Sequence, residues 1–135
     1  MKNRDYQRAR VYKWERECLI PLSINKKDLS LQECRDLIRD VLDKSKHWKK
    51  EIKLHDGRGH KNAISYGGCI ALPKWARQTI IVLHELAHEL SSFYCEEPHG
   101  PKFVSTYIDL IHITLDIPKE TLKREAKDMG VDYRW

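Results

Sequence analysis

The chain has no C-x-x-C pair. Its four cysteines, Cys18, Cys34, Cys69 and Cys95, lie far apart, so a zinc ribbon or a thioredoxin-like motif is unsupported. No apolar run approaches the length of a membrane span. No apolar stretch follows Met1-Lys2-Asn3-Arg4-Asp5, so no signal peptide is expected. A protein that stays in the cytoplasm, with reduced thiols and no membrane contact, is the expectation. No repeat, low-complexity tract or linker divides the 135 residues, which points to one domain over 1–135.

What is present fits a folded chain. Apolar residues make up 41% and charged residues 33%, a balance of globular rather than disordered proteins. The net charge of +5 is compatible with an acidic partner, nucleic acid included. One local lysine cluster, Lys44, Lys46, Lys49, Lys50 and Lys53, invites that reading, although such a cluster is usually a solvated face.

The chemistry concentrates at His84-Glu85-Leu86-Ala87-His88, inside the apolar run Thr79 to Tyr94. Residues four apart on a helix stand one above the other, so His84 and His88 can aim two imidazoles at one metal ion. Glu85, beside the first ligand, can reach a metal-bound water without binding the metal. A catalytic zinc needs a third protein ligand and an open fourth position. His99 is the choice, eleven residues past His88, on a loop where Gly100 permits a close turn and Pro101 suits a helix start. His112, Asp109, Glu96 and Glu97 are its competitors, and Asp109 is also a candidate acceptor for a ligand histidine. His47, His55 and His60 have no ligand spacing. Tyr66, Tyr94 and Tyr107 are candidates to help stabilise an oxyanion.

The surrounding pattern is mixed helix and strand. Asp5 to Glu17 reads as a helix closed near Pro21. A second helix, capped by Asp28 or Ser30, runs to about Lys46 with Leu31, Cys34, Leu37, Ile38, Val41 and Leu42 as its stripe. Short strands are expected at Ile52 to His55, Asn62 to Tyr66 and Cys69 to Leu72, separated by Asp56-Gly57-Arg58-Gly59 and Gly67-Gly68. The last of them, next to the motif, is a candidate edge for an extended peptide. Thr79 is a plausible cap for the motif helix, which is apolar nearly all round and should be buried. Helices from about Lys102 to Leu115 and over Lys119 to Met129, stopped by Gly130, complete the chain.

Four segments together resemble a known family. They are Arg4-Asp5-Tyr6-Gln7-Arg8-x-Arg10-Val11-Tyr12-x-Trp14-Glu15, Leu72-Pro73-x-Trp75-Ala76-Arg77, His84-Glu85-Leu86-Ala87-His88 and His99-Gly100-Pro101-x-Phe103. The chain resembles the HEXXH-motif metallopeptidases of actinobacteria and their phages, and is similar to the wider SprT-like group of minimal zinc peptidases. The resemblance implies one zinc ion held by His84, His88 and His99, with Glu85 as general base. It implies an α+β, zincin-like fold with a small, mostly antiparallel three-stranded sheet against the active-site helix. The implied partner is a protein or peptide substrate, cut in the cytoplasm, the host's if phage-encoded. SprT-like enzymes acting on DNA-bound proteins often carry a C-terminal zinc ribbon, which this chain lacks. Two other readings remain: an inactive metal-binding or nucleic-acid-associated regulatory protein, and a zinc hydrolase acting on a non-peptide amide.

Overall fold

Among the described residues, five helices and a three-stranded sheet arise from these patterns. The structure, a computed structural model, describes residues 5–22, 28–45, 47, 50–91 and 97–135. Tyr94, Glu96, Lys46, Lys49 and Trp48 lie outside the described residues. Helix α1 spans Arg8–Trp14 and passes into a π-helical turn, Glu15–Leu19, and a 3-10 turn, Ile20–Leu22. The expected helix over Asp5 to Glu17 is therefore shorter and changes pitch at Glu15. The wider bonding of a π turn brings Glu15 and Leu19 close to one face, and both are buried beside Trp14.

Helix α2, Leu31–Lys44, starts at Ser30 rather than Asp28. The Ser30 hydroxyl accepts from the Glu33 N–H at 3.0 Å, and the Glu33 carboxylate accepts from the Ser30 N–H at 2.8 Å. Cys34, Ile38, Val41 and Leu42 form its buried stripe.

Strands β1, Lys53–His55, β2, Ile64–Tyr66, and β3, Cys69–Ala71, form one sheet in the order β1-β3-β2. Two expectations are corrected here. The sheet is mixed rather than mostly antiparallel, because β1 runs parallel to β3 and only β2 is antiparallel to it. The Cys69 to Leu72 segment is the centre of the sheet, so β2 is the edge strand beside the motif helix. The reason lies in the connections. Gly67 and Gly68, with φ +49° and +84°, make a tight hairpin between β2 and β3, while the chain from Asp56 to Ala63 carries β1 across to the other side.

The motif helix α3, Thr79–Ser91, is buried along most of its length. Thr79 is its first helical residue; the Gln78 carbonyl accepts the opening bond from the Val82 N–H at 2.9 Å. Helix α4, Pro101–Leu115, starts with Gly100 as cap and Pro101 in the first turn. Its residues Phe103, Val104, Tyr107, Ile108 and Ile111 pack against α3 in a common core with Leu83, Leu86 and Ala87. Helix α5, Lys119–Asp128, ends where Gly130 turns left-handed at φ +75°. There the Gly130 and Val131 N–H groups donate to the Lys127 and Ala126 carbonyls. No described helix is long and apolar enough to cross a membrane.

The turn after β1 is held tightly. Arg77 donates to the Leu72 carbonyl at 2.9 Å and to the Asp56 carbonyl at 3.0 Å. Gly57 has φ +72°, and a Cβ there would lie 2.7 Å from the Leu72 carbonyl carbon; Gly59 has φ +86° but open space around it. Gly59→Ala should therefore cost only the backbone strain, about 1–2 kcal/mol. Gly57→Ala should cost about 2–5 kcal/mol, because the backbone must also move. Urea denaturation of the two variants checks this, and equal losses would contradict it.

Candidate metal centre

The site is assembled from three stretches of sequence. Helix α3 supplies His84, Glu85 and His88, since the apolar residues around them fix the helix in the core. The loop before α4 supplies His99. The segment from Asp5 to Glu15 closes over both. His84, His88 and His99 offer ligand atoms that all lie within 4.8 Å of one another, a group that could hold a metal ion. His84 and His99 are 4% and 5% exposed.

The Nε2 atoms of His84 and His99 are 3.4 Å apart. Two nitrogens on one tetrahedral zinc, with bonds of about 2.0–2.1 Å, would be separated by about 3.3 Å. The donor chemistry agrees. His84 Nδ1 is 2.5 Å from Glu15 Oε2, and His99 Nδ1 is 2.6 Å from Asp5 Oδ2. An ionised carboxylate only accepts, so each Nδ1 carries the proton and each Nε2 keeps its lone pair facing the group. Carboxylates behind ligand histidines hold ring and tautomer in place. Asp5 also accepts from the His99 N–H at 3.0 Å through its other oxygen.

More of the first segment supports this arrangement. Gln7, fully buried, donates to the His99 carbonyl at 2.8 Å and to the Asp132 carbonyl at 3.1 Å, and accepts from the Asp132 N–H at 2.8 Å. Glu15 Oε2 also accepts from the Tyr107 hydroxyl at 2.5 Å. Phe103 is the apolar floor: its ring centroid lies 4.4 Å from His88, 5.1 Å from His84 and 5.2 Å from His99. Tyr12 stacks parallel to His84 at 5.9 Å and tilts against His99 at 5.1 Å.

The electrostatics divide the three imidazoles. Burial alone would lower the His84 pKa, but the hydrogen bond and charge of Glu15 outweigh it and raise it. Glu15 answers in the opposite sense: burial works against its charge, yet His84 and Tyr107 lower its pKa. His88 is pushed down to about 2 by burial and by the neighbouring positive charges of His84 and His99. His99 is lowered, chiefly by burial, against the pull of Asp5. Glu85 is raised by burial and by repulsion from Glu15 and Glu89, partly offset by His84.

An open cavity of about 510 Å³ gives access. His84, Glu85, His88 and His99 line it, with Ile64, Ser65 and Tyr66 of the edge strand along one wall. Glu89, one turn past Glu85, ties that wall to the helix by accepting from the Gly68 N–H at 2.7 Å.

The other sequence candidates fall elsewhere. His112 donates from Nδ1 to the Ile117 carbonyl at 2.8 Å and closes the end of α4. Asp109 accepts from Trp135 Nε1 at 3.0 Å and pairs with Lys119 at 2.8 Å, so it backs no histidine. Tyr107 is fully buried and committed to Glu15, which removes it as an oxyanion donor. Tyr66 lines the cavity, and Glu97 borders it without joining the histidine group. Of the lysine cluster, Lys44 pairs with Asp40 at 3.1 Å. The spacing of Asp5, Gln7, Tyr12 and Glu15 carries no ligand or second-partner signal. The detectable signal was a Glu next to Trp14 in an otherwise apolar stripe.

Comparison of the chain with protein-family models, with curated proteins and with solved structures finds no match in any of the three.

Two outcomes are expected from zinc titrations against a competing chelator. His99→Ala should weaken metal binding by at least about 100-fold while His112→Ala leaves it unchanged, since three ligands rather than two set the affinity. Glu15→Gln should weaken it about 10–100-fold near pH 8. The pH dependence follows from the raised His84 pKa. A proton competes with the metal for Nε2, so wild-type affinity falls as pH drops through that raised value. Without Glu15 burial dominates, the His84 pKa falls, and the same loss should occur at lower pH. An unchanged midpoint would contradict the carboxylate's role.

Proposed function

We propose that this protein is a zinc-dependent metallopeptidase of the kind its motifs resemble. The observation that carries the reading is Glu85. It lines the same cavity as the three histidines and shares a buried helix with two of them, with its proton affinity raised. A purely structural site would be closed by a fourth protein ligand. Here the described ligand atoms number three and the cavity is open to solvent.

When bound, zinc would supply Lewis acidity for the scissile carbonyl and for water. The chain's own residues account for the rest. Glu85 takes a proton from water as its oxygen attacks the carbonyl carbon. It then delivers that proton to the amine nitrogen as the C–N bond breaks. A carboxylate with raised pKa suits both halves of this task. Glu15 and Asp5 keep His84 and His99 in the tautomer that presents Nε2. The edge strand β2 offers unpaired backbone groups along the cavity wall, which suits an extended peptide more than a small amide. Among the described residues, Tyr12 and Tyr66 line the cleft and can approach the developing oxyanion. Cytoplasmic action on a protein or peptide belongs to the same proposal.

The test uses an unfolded protein as substrate and the zinc-loaded enzyme. Wild type should cleave it. Glu85→Gln should keep near-stoichiometric zinc and lose at least about 100-fold in rate, the usual worth of a general base. Full activity in that variant would remove Glu85 from the mechanism.

A further inference from the structure

The cleft continues beyond the histidines. A second cavity of about 690 Å³ shares a wall with the first, since Tyr12, Ala63, Ile64, His84 and Glu85 line both. Its remaining lining differs in character. Arg8, Arg16 and Lys61 bring three positive charges, and Trp75, Ile20 and Ile81 bring apolar surface.

These cations are exposed. Among the described residues, none of the three has an ion-pair partner. Arg8 lies over the Tyr12 ring, 5.6 Å from its centroid. Two carboxylates share the lining against these three cations. Glu15 holds His84 and Tyr107, while Glu85 sits on the wall shared with the first cavity. The rim of the cavity thus carries excess positive charge.

Trp75 gives that rim a fixed shape. It is 53% exposed, a state that leaves a large apolar surface in water. Its Nε1 donates to the Lys61 backbone carbonyl at 2.7 Å, which pins the indole to the chain that carries Lys61. An aromatic plane fixed in advance lowers the ordering cost of binding.

The geometry points to a specificity subsite: this second cavity takes an acidic side chain, Asp or Glu, of the peptide substrate, next to the scissile bond. The inference rests on the peptidase reading above. An extended chain advances about 3.4 Å per residue, so a residue adjacent to the bond at Glu85 falls within the shared wall. Its carboxylate meets Arg16 and Lys61 while its neutral amides pass Glu85. A nucleic acid fits less well, because a charge on every nucleotide would press phosphates against Glu85 and Glu15.

The experiment pairs two readouts. Zinc-loaded wild type and the exposed-site variant Arg16→Gln/Lys61→Gln are given matched quenched peptides with Glu, Gln or Lys at each position flanking the scissile bond. In wild type, kcat/KM should be at least about tenfold higher for Glu than for Gln at one position, and lowest for Lys. In the variant the Glu-to-Gln ratio should fall towards one. No preference in wild type, or the same preference in the variant, would overturn the subsite. If wild type cleaves nothing, the peptidase reading fails, and fluorescence-labelled versions of the same peptides decide the subsite by binding. A tenfold preference for Glu that the variant loses supports it. Equal binding, no binding, or tighter binding of a labelled oligothymidylate overturns it.

Discussion

A buried imidazole that is to offer one nitrogen must have the other one satisfied, and Glu15 does this for His84. The contact is expensive in isolation, since both groups are at most 8% exposed and burying charge is costly. It is stable because Glu15 has two partners on one oxygen: His84 Nδ1 and the Tyr107 hydroxyl, each at 2.5 Å. Tyr107 belongs to α4, His84 to α3 and Glu15 to the turn after α1. One carboxylate therefore ties together three elements distant in sequence. Trp14, fully buried, packs edge-on to Tyr107 at 5.9 Å.

The rest of the site follows the same logic. Asp5 holds His99 from both ends, by its ring and by its backbone N–H. Gln7 secures the carbonyl of that residue to the C-terminal segment. Phe103 lies against all three imidazoles, so their spacing is set by packing as well as by hydrogen bonds. The small sheet contributes little to the core beyond Ile70, Ala71 and Leu72, but its edge walls the cleft. Glu89 joins that edge to α3, which couples the wall to the helix that carries the histidines.

Much of this was legible in advance. The elements predicted from periodicity and from Gly and Pro positions all appear within a few residues, apart from the pitch change at Glu15. Helices α2, α4 and α5 were readable from an apolar stripe and from start or stop signals at their ends, and α3 from its nearly continuous apolar run. The pairing of His84 with His88 was readable because helical spacing is local. His99 was chosen over His112, Asp109, Glu96 and Glu97, and the described competitors His112 and Asp109 have other partners. The sheet was read less well. Its order depends on where a connection crosses, and the residues from Asp56 to Ala63 carry turn signals without a direction.

By itself, the sequence pointed to His84, His88 and His99 as a group that could hold a metal ion, placed two of them on one helix face, and made this helix a buried one. Each follows from contacts between residues a few positions apart. Only the tertiary structure decided what stands behind the ligands: Glu15 and Asp5 come from 69 and 94 residues away along the chain. It also decided that β2 rather than β3 is the edge, and that Arg16, Lys61 and Trp75 share a cavity with the site. Turns and periodicity report on neighbours. The approach of distant carboxylates and cations depends on how α1 packs across α3 and α4, and no local pattern encodes that packing.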